Sequence, residues 1–154
     1  MGNMEINKLL SVFKGKKVLV TGDTGFKGSW LSFWLNHIGA DVMGYSLPPK
    51  EDFCGYNLLS LSKTIKHIDG DIRDLKHMKA EIQKFNPEFV FHLAAQAIVR
   101  DSYDDPRYTY ETNVIGSVNL LEVIRETPSV RSVIYVTSDK CYKNKEWILS
   151  LIHI

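Results

Sequence analysis

An apolar run that passes directly into three evenly spaced glycines determines what the start of this chain can form. The run ends at Thr21, the glycines are Gly22, Gly25 and Gly28, and apolar residues at helical spacing follow them. A buried strand, a tight turn and a helix N-terminus in that order make a cradle of backbone N–H groups suited to a pyrophosphate. A loop can need glycines for its backbone alone. The strand-to-helix context favours a dinucleotide-binding unit instead.

The remainder of the chain alternates strand and helix patterns. We expect strands at about 17–21, 41–46, 64–68, 89–93 and 133–137, with helices at about 26–38, 74–85 and up to about 126. The last two strand patterns are continuously apolar, which is typical of strands covered on both faces. Such alternation predicts right-handed crossovers and a parallel sheet. The expected strand order is 3-2-1-4-5, with ligand at the carboxyl ends of strands one and four.

Local signals refine two of the helices. Asp74 is a predicted N-cap, and Asn86-Pro87 is expected to end the helix that follows it. Helical spacing predicts that Leu75, Met78, Ile82 and Phe85 share its buried face. In the long helix before residue 126, we expect Val114, Val118 and Leu121 to point inward.

The chain length and its two ends bear on domain organisation. The 154 residues suit one domain or part of a larger one. We expect residues 1–15 to be a lead-in whose one short helix uses Ile6, Leu9, Leu10 and Phe13. Residues 16–147 are expected to form an incomplete dinucleotide-binding domain, and 148–154 a candidate non-native tail. The predicted fold class is α/β, a Rossmann-type doubly wound parallel sheet truncated before a C-terminal substrate domain.

Charge and cysteine content exclude several classes of protein. Nineteen basic and eighteen acidic residues leave a net charge of +1, so nothing favours binding to nucleic acid or to an anionic membrane. The two cysteines, Cys54 and Cys141, form neither a disulfide framework nor a metal-ligand cluster. No apolar stretch approaches the ~18 residues of a membrane span. We therefore expect a cytoplasmic protein without a metal site.

Four further segments lie where strands are expected to end, or in the long helix. They are Gly70-Asp71-Ile72-Arg73-Asp74, His92-Leu93-Ala94-Ala95-Gln96, Thr112-Asn113-Val114 and Val136-Thr137-Ser138-Asp139-Lys140-Cys141-Tyr142. With the Thr-Gly-x-x-Gly-x-x-Gly spacing of the first loop, they resemble the extended short-chain dehydrogenase/reductases that act on nucleotide sugars. The similarity runs from about residue 15 to 147.

This resemblance implies a set of coenzyme-binding residues. Asp71 and Ile72 would flank the adenine, although a loop carboxylate or helix cap is the alternative for Asp71. Small residues after strand four would let the backbone approach the ribose and the nicotinamide. His92 is expected to be a packed strand residue. The implied coenzyme-binding set is Gly22, Thr24, Gly25, Phe26, Lys27, Gly28, Asp71, Ile72, Ala94, Ala95 and Gln96.

The segment after strand five is the part of the chain that best distinguishes one branch of this family from another. Ser138-Asp139-Lys140 stands where the commoner pattern of sugar-nucleotide 4,6-dehydratases is Thr-Asp-Glu, and it resembles the branch that acts on CDP-glucose. By that resemblance Ser138 orients the hydroxyl at C4, and Asp139 protonates the departing hydroxyl at C6. Lys140 takes part in C5 deprotonation or stabilises the enolate. A solvated ion pair is the alternative for Asp139 and Lys140.

The implied reaction is an internal oxidation and reduction of the sugar. A hydride leaves C4 for NAD, water is lost between C5 and C6, and the hydride returns to C6. Asp139 must be protonated and Lys140 neutral to act, which requires burial or neighbouring charge. The implied role of Asn113 is to organise the active site from the long helix. On its own it would be an ordinary polar helix residue.

The family's base is a Tyr followed four positions later by Lys, and no such pair occurs in these 154 residues. The chain alone is therefore expected to bind coenzyme poorly and to turn over no substrate. NAD is implied by the family only. The end of strand two, Tyr45-Ser46-Leu47, offers neither an acidic residue for the ribose nor an Arg for a 2′-phosphate.

Two other functional classes stay open. One is a nucleotide-sugar epimerase or decarboxylase of the same fold, which would not need an acid for a leaving hydroxyl. The other is a non-catalytic dinucleotide-binding module, with which the missing base is consistent. A nucleotide-sugar substrate, CDP-glucose in particular, and a homo-oligomer paired through helices after Asp104 follow from the resemblance. Tyr103, Tyr108 and Tyr110 are expected either in such an interface or in the core.

Overall fold

The structure, a computed structural model, describes residues 11–138 and shows a five-stranded parallel sheet with helices on both faces. The strands are β1 Lys17–Thr21, β2 Asp41–Ser46, β3 Lys66–Asp69, β4 Phe89–His92 and β5 Ser132–Tyr135. They lie in the order β3-β2-β1-β4-β5, and each neighbouring pair is parallel. The predicted Rossmann-type class and strand order are confirmed.

The helices connect successive strands. They are α1 Phe26–His37, α2 Gly55–Leu58, α3 Leu75–Phe85, α4 Val99–Asp104, α5 Pro106–Tyr110 and α6 Gly116–Arg125. A 3₁₀ turn at Leu61–Lys63 precedes β3, and a π-helical turn at Glu111–Ile115 joins α5 to α6. No helix within residues 11–138 is long and apolar enough to cross a membrane.

Strand β1 lies at the centre of the sheet, and its side chains pack into two separate hydrophobic layers, one on each face. Val18 and Val20 pack on one face with a cluster that includes Leu35 and Leu61. Leu19 packs on the other face, since successive side chains of a strand point to opposite sides. That second layer contains Met43, Tyr45, Ile72, Met78, Ile82, Phe85, Val90, Leu120 and Val123. A central parallel strand needs apolar residues on both faces, which explains the continuous run in the sequence.

Helix α3 has the predicted ends. The Asp74 side chain accepts a hydrogen bond from the His77 N–H, and Asn86 ends the helix in the left-handed conformation, φ 58°. Met78, Ile82 and Phe85 are buried as predicted. The prediction for Leu75 is wrong, because this first residue of the helix is 39% exposed and the buried face begins one turn later.

The inward face predicted for the long helix is also wrong. Val114, Val118 and Leu121 are all about half exposed, whereas Gly116 and Leu120 are buried. Two causes are visible. The Gly116 N–H bonds the Glu111 carbonyl across a π-helical turn, and the extra residue shifts the phase of the helix. In addition, a Cβ on Gly116 would lie 2.6 Å from Ile72 Cδ1, so a residue without a side chain allows the close approach.

The remaining differences from expectation are small. Strand β3 begins at Lys66 rather than near residue 64, and β5 lies at an edge of the sheet with Ile134 about half exposed. Phe13 of the lead-in packs on the rings of Phe89 and Phe91 at 5.1 and 5.9 Å. The predictions for Ile6, Leu9, Leu10, Asp139, Lys140 and residues 148–154 lie outside the described residues.

Candidate coenzyme-binding site

Glycine is required at two positions, one in the loop between β1 and α1 and one in the first turn of α1. Gly22 has φ 76°, and a Cβ there would lie 2.8 Å from the Ala94 backbone nitrogen. A Cβ on Gly28 would overlap the Gly22 carbonyl. The loop therefore lies directly against the segment that follows β4, with its backbone at the surface where a ligand can reach it.

The N-terminus of α1 is free to bind an anion. Gly25 is its N-cap, no side chain caps it, and the first N–H bonded within the helix is that of Ser29, to the Gly25 carbonyl. The N–H groups of the first turn, from Phe26 to Gly28, have no acceptor within the helix. Phe26 is 78% exposed and Lys27 is also exposed. Backbone N–H groups and the helix dipole together favour phosphate here.

A cleft of about 330 Å³ opens beside this loop at the carboxyl edge of the sheet. It lies at the ends of β1 and β4, as predicted, and it also reaches the end of β2. Seven of the predicted coenzyme-binding residues line it: Gly22, Thr24, Gly25, Asp71, Ile72, Ala94 and Ala95. Ser46, Leu47, Pro48, Pro49, Tyr108 and Thr112 complete much of the wall. Phe26, Lys27, Gly28 and Gln96 are not in the wall of the cleft.

Asp71 forms one polar corner of the cleft. Its carboxylate pairs with the Arg73 guanidinium, 2.6 Å from Oδ2 to Nη2, and accepts the Arg73 backbone N–H at 2.9 Å. These hydrogen bonds hold the pKa of Asp71 below its usual value, against the effect of burial. Arg73 in turn lies over the Tyr108 ring, 4.6 Å from its centroid. Asp71 is therefore a fixed, ionised acceptor, and its contact with adenine stays a prediction.

Asn113 connects the long helical segment to the strand that ends at the cleft. Its Oδ1 accepts the Gln96 N–H at 2.8 Å, and its Nδ2 donates to the Gln96 carbonyl at 2.9 Å. The Asn113 side-chain amide thus makes the two backbone hydrogen bonds to Gln96 that a neighbouring strand would otherwise make. It fixes the backbone after Ala95. This geometry is consistent with the organising role expected for Asn113, which itself stays a prediction.

His92 is buried beneath the cleft and is held from both sides. Thr21 Oγ1 accepts the N–H groups of Leu93 and Ala94, so its own hydrogen goes to His92 Nδ1 at 2.6 Å. The Nε2–H then donates to Ser117 Oγ at 3.2 Å. Burial lowers the pKa of His92 to about 4. His92 is a neutral packing residue, as predicted.

The segment proposed to carry the chemistry is described only in part. Ser138 is exposed just beyond β5, the strand next to β4. Asp139 and Lys140 lie outside the described residues, so the arrangement of the three side chains stays a prediction.

Sequence reasoning missed three polar groups near the cleft. Asp23 is fully buried and bonds Ser46 and His67. Thr112 is 7% exposed, and its Oγ1 has no hydrogen-bond partner among the described residues. The only sequence signal for Asp23 is a carboxylate between two motif glycines. Nothing in the sequence marks His67, since its contact spans 44 positions.

The site fits a dinucleotide on its own geometry. A Cβ-free loop against β4, an uncapped helix N-terminus and an orphaned hydroxyl in the cleft wall are what a pyrophosphate-bridged ligand needs. Together with the strand order, they define a Rossmann-type dinucleotide-binding domain.

Comparison with known proteins places the chain more narrowly. It belongs to the family described as GDP-mannose 4,6 dehydratase, whose sequence model matches residues 19–145. It is 47% identical to CDP-glucose 4,6-dehydratase of Salmonella typhimurium strain LT2, over 88% of this chain and 38% of the relative. It is 34% identical to CDP-paratose 2-epimerase of Salmonella typhi, over 84% and 39% of the two chains. The chain thus spans about two fifths of these curated relatives.

Solved structures give the same picture of the fold. Epimerase Mth375 of Methanothermobacter thermautotrophicus matches with a TM-score of 0.83 and 28% identity, over 99% of this chain and 44% of that one. A UDP-glucose 4-epimerase of Stenotrophomonas maltophila, with bound NAD and formylated UDP-arabinopyranose, matches with a TM-score of 0.75 and 26% identity. That match covers 86% of this chain and 40% of the other.

Proposed function

We propose that this chain is the coenzyme-binding part of an NAD-dependent sugar-nucleotide 4,6-dehydratase that converts CDP-glucose to CDP-4-keto-6-deoxyglucose. The observation that carries the proposal is the Ser138-Asp139-Lys140 triplet, which in sequence follows β5, the strand next to β4. The 47% identity to a CDP-glucose 4,6-dehydratase supports it. Within this proposal residues 16–147 are the coenzyme domain, 1–15 a lead-in and 148–154 a tail outside it.

NAD is the proposed coenzyme. Two of the solved structures with this fold, from Stenotrophomonas maltophila and Brucella ovis, are described with NAD bound. The glycine loop and the α1 N-terminus would hold the pyrophosphate, and Asp71 and Ile72 would flank the adenine. Ala94, Ala95 and Gln96 would face the ribose and nicotinamide side. When bound, NAD supplies the acceptor and donor for a hydride.

The side chains after β5 would handle the protons of the sugar. Ser138 orients the C4 hydroxyl by a hydrogen bond. Asp139 gives its proton to the C6 hydroxyl, which leaves as water, so it must be protonated when substrate is bound. Lys140 removes the C5 proton or stabilises the enolate, and removal requires the neutral amine. Asn113 fixes the backbone of Gln96.

One required group is absent from these 154 residues, because they contain no Tyr-x-x-x-Lys pair. The proposed reaction needs such a base. We therefore expect no dehydratase turnover when the 154-residue chain is mixed with CDP-glucose and NAD. Turnover by the chain alone would show that another base is used.

The deciding experiment is product analysis on the polypeptide encoded by the uninterrupted reading frame. With CDP-glucose and NAD we expect loss of one water and a new methyl group, detected by mass spectrometry and NMR. A product of unchanged mass with one inverted centre would instead establish an epimerase, the second candidate, which the 34% identity to CDP-paratose 2-epimerase favours. The leaving-group acid Asp139 is not needed for an inversion.

We further propose that the protein is a homo-oligomer paired through the face of α5, the π-helical turn and α6. Tyr110 is 70% exposed there, and Val114, Val118 and Leu121 continue the same stripe. Tyr103, on α4, is 82% exposed, so core packing of Tyr103 and Tyr110 is wrong. Tyr108 is instead half-buried against Arg73. Apolar stripes of this kind mark interaction surfaces.

A further inference from the structure

A buried carboxylate lies behind the end of β2. Asp23 is 0% exposed, accepts a hydrogen bond from Ser46 Oγ at 2.9 Å and pairs with His67 Nδ1 at 2.7 Å. A Cβ on Gly44 would overlap the Asp23 carboxyl group, so β2 has a glycine where this side chain needs room. The Asp23 carboxylate therefore occupies the space that Gly44 leaves open, and it has two hydrogen-bond partners, Ser46 and His67.

Two hydroxyls connect this carboxylate to the cleft. Thr24 Oγ1 lies 2.9 Å from Ser46 Oγ and 2.9 Å from the Leu47 carbonyl, and both hydroxyl residues line the cleft. An ionised carboxylate only accepts, and it is the stronger acceptor for the Ser46 hydrogen. The Thr24 hydrogen goes to Leu47 or to Ser46. Both hydrogens are thus used inside the protein, and the two oxygens offer lone pairs to a ligand.

The position of these lone pairs is significant for coenzyme choice. In dinucleotide-binding folds an acidic residue at the end of the second strand accepts the ribose 2′-hydroxyl and repels a 2′-phosphate. Here β2 ends in Ser46, followed by Leu47, so no carboxylate stands there. The negative charge lies one hydrogen bond further back, on Asp23.

We propose that Asp23 determines coenzyme specificity through Ser46 and Thr24, selecting a ribose with a free 2′-hydroxyl and excluding a 2′-phosphate. The inference rests on the proposed function, in that a nicotinamide dinucleotide occupies the cleft. A 2′-hydroxyl donates to the lone pairs that Asp23 orients. A 2′-phosphate is negatively charged at neutral pH. It would face two hydrogen-bond acceptors, Ser46 and Thr24, that lie in front of a buried carboxylate.

The neighbours of Asp23 explain how the charge is kept in a buried place. His67 bridges Asp23 and Asp69, with 3.0 Å from Nε2 to Asp69 Oδ1. The Tyr56 ring packs on the imidazole, 5.2 Å between centroids. A buried charge without a partner is costly, and His67 is the partner that the structure places against the Asp23 carboxylate. Asp69 lies on the far side of His67 and is largely exposed.

The test compares ADP-ribose with 2′-phospho-ADP-ribose, which differ only at the 2′ position and need no nicotinamide contact. Binding of each to the polypeptide encoded by the uninterrupted reading frame is measured by isothermal titration calorimetry. We expect ADP-ribose to bind at least about tenfold more tightly, and Asp23→Asn to reduce that ratio by about fivefold or more, since the charge is removed at nearly constant shape. Asp69→Asn is the matched control and should leave the ratio unchanged.

Ser46→Ala provides a second route, because it removes the connection without altering the buried pair. We expect weaker ADP-ribose binding and a reduced ratio, and this variant decides the matter if Asp23→Asn fails to fold by circular dichroism. An unchanged ratio in the folded variants overturns the specificity role of Asp23 and leaves the coenzyme proposal intact. Failure of the unaltered polypeptide from the uninterrupted reading frame to bind either probe overturns both.

Discussion

His67 and His92 show how the pKa of one residue type is shifted in opposite directions within the same domain. Burial lowers the pKa of His67, but the hydrogen bonds and charges of Asp23 and Asp69 outweigh it, and the net pKa is raised above 6.5. His92 has hydroxyl partners and no carboxylate, so burial alone lowers its pKa to about 4. The difference lies in the neighbours that the fold supplies.

The two histidines should therefore affect stability at opposite ends of the pH range. The stabilisation from His67 is fully present below pH 6.5 and is lost as pH rises through its raised folded pKa. For His92 the unfolded state takes up a proton below about pH 6.5 but the folded state only near 4, so stability falls over that interval, by up to about 3 kcal/mol.

Urea unfolding between pH 4 and 9 checks both directions, with each variant serving as the control for the other. His92→Gln should flatten the acid side of the stability curve and leave the alkaline side unchanged. His67→Gln should do the reverse. The same change on both sides in either variant would contradict the opposite pKa shifts of the two histidines.

At the level of secondary-structure elements, the glycine loop allows two costs of a side chain to be separated: the clash of its Cβ with a neighbour and the left-handed backbone conformation. Gly22 and Gly15 both have positive φ, 76° and 70°, but a Cβ on Gly22 meets the Ala94 backbone whereas one on Gly15 meets nothing within 4 Å. Gly15→Ala should cost only the left-handed conformation, about 1 kcal/mol. Gly22→Ala should cost about 3 kcal/mol or more and abolish ADP-ribose binding, because β4 or the loop must move.

Unfolding free energies and calorimetric titrations of the two variants measure this difference. Equal destabilisation by both substitutions would show that the loop is not pressed against the end of β4. A Gly22→Ala chain that binds ADP-ribose normally would show that the loop backbone is not part of the site.

Elements with strong local signals could be predicted from the sequence, and those governed by tertiary contacts could not. The glycine loop, β1, β2 and the Asp74 cap carry their signals within a few residues, and the structure has them there. The face of α6 depends on a π-helical turn and on the approach of Gly116 to Ile72, which no periodicity reveals. Apolar spacing alone therefore predicted the wrong face as buried, namely the exposed one that carries Val114, Val118 and Leu121.

In the molecule as a whole, the site also combines residues that can be predicted from the sequence with residues that depend on tertiary contacts. The parallel strand order brings the carboxyl ends of β1, β2, β3 and β4 to one edge, so residues far apart in sequence meet there by topology. That rule predicts Gly22, Asp71 and Ala94 in one cleft. It does not predict the Asp23–His67 pair, which depends on the empty space at Gly44 on an intervening strand.

The outward stripe of α5 and α6 leads to a prediction about assembly. If two copies pair through it in a two-fold interface, each substitution acts twice, once from each copy. Burying Val118 or Leu121 is worth roughly 1.5 kcal/mol or more per side chain. Val118→Lys with Leu121→Lys should therefore weaken self-association by at least about a hundredfold, measured by sedimentation equilibrium. Leu58→Lys, at a residue 61% exposed on α2, is the matched control and should associate normally. A monomeric unaltered chain, or equal weakening by the control, would show that this stripe does not join two copies.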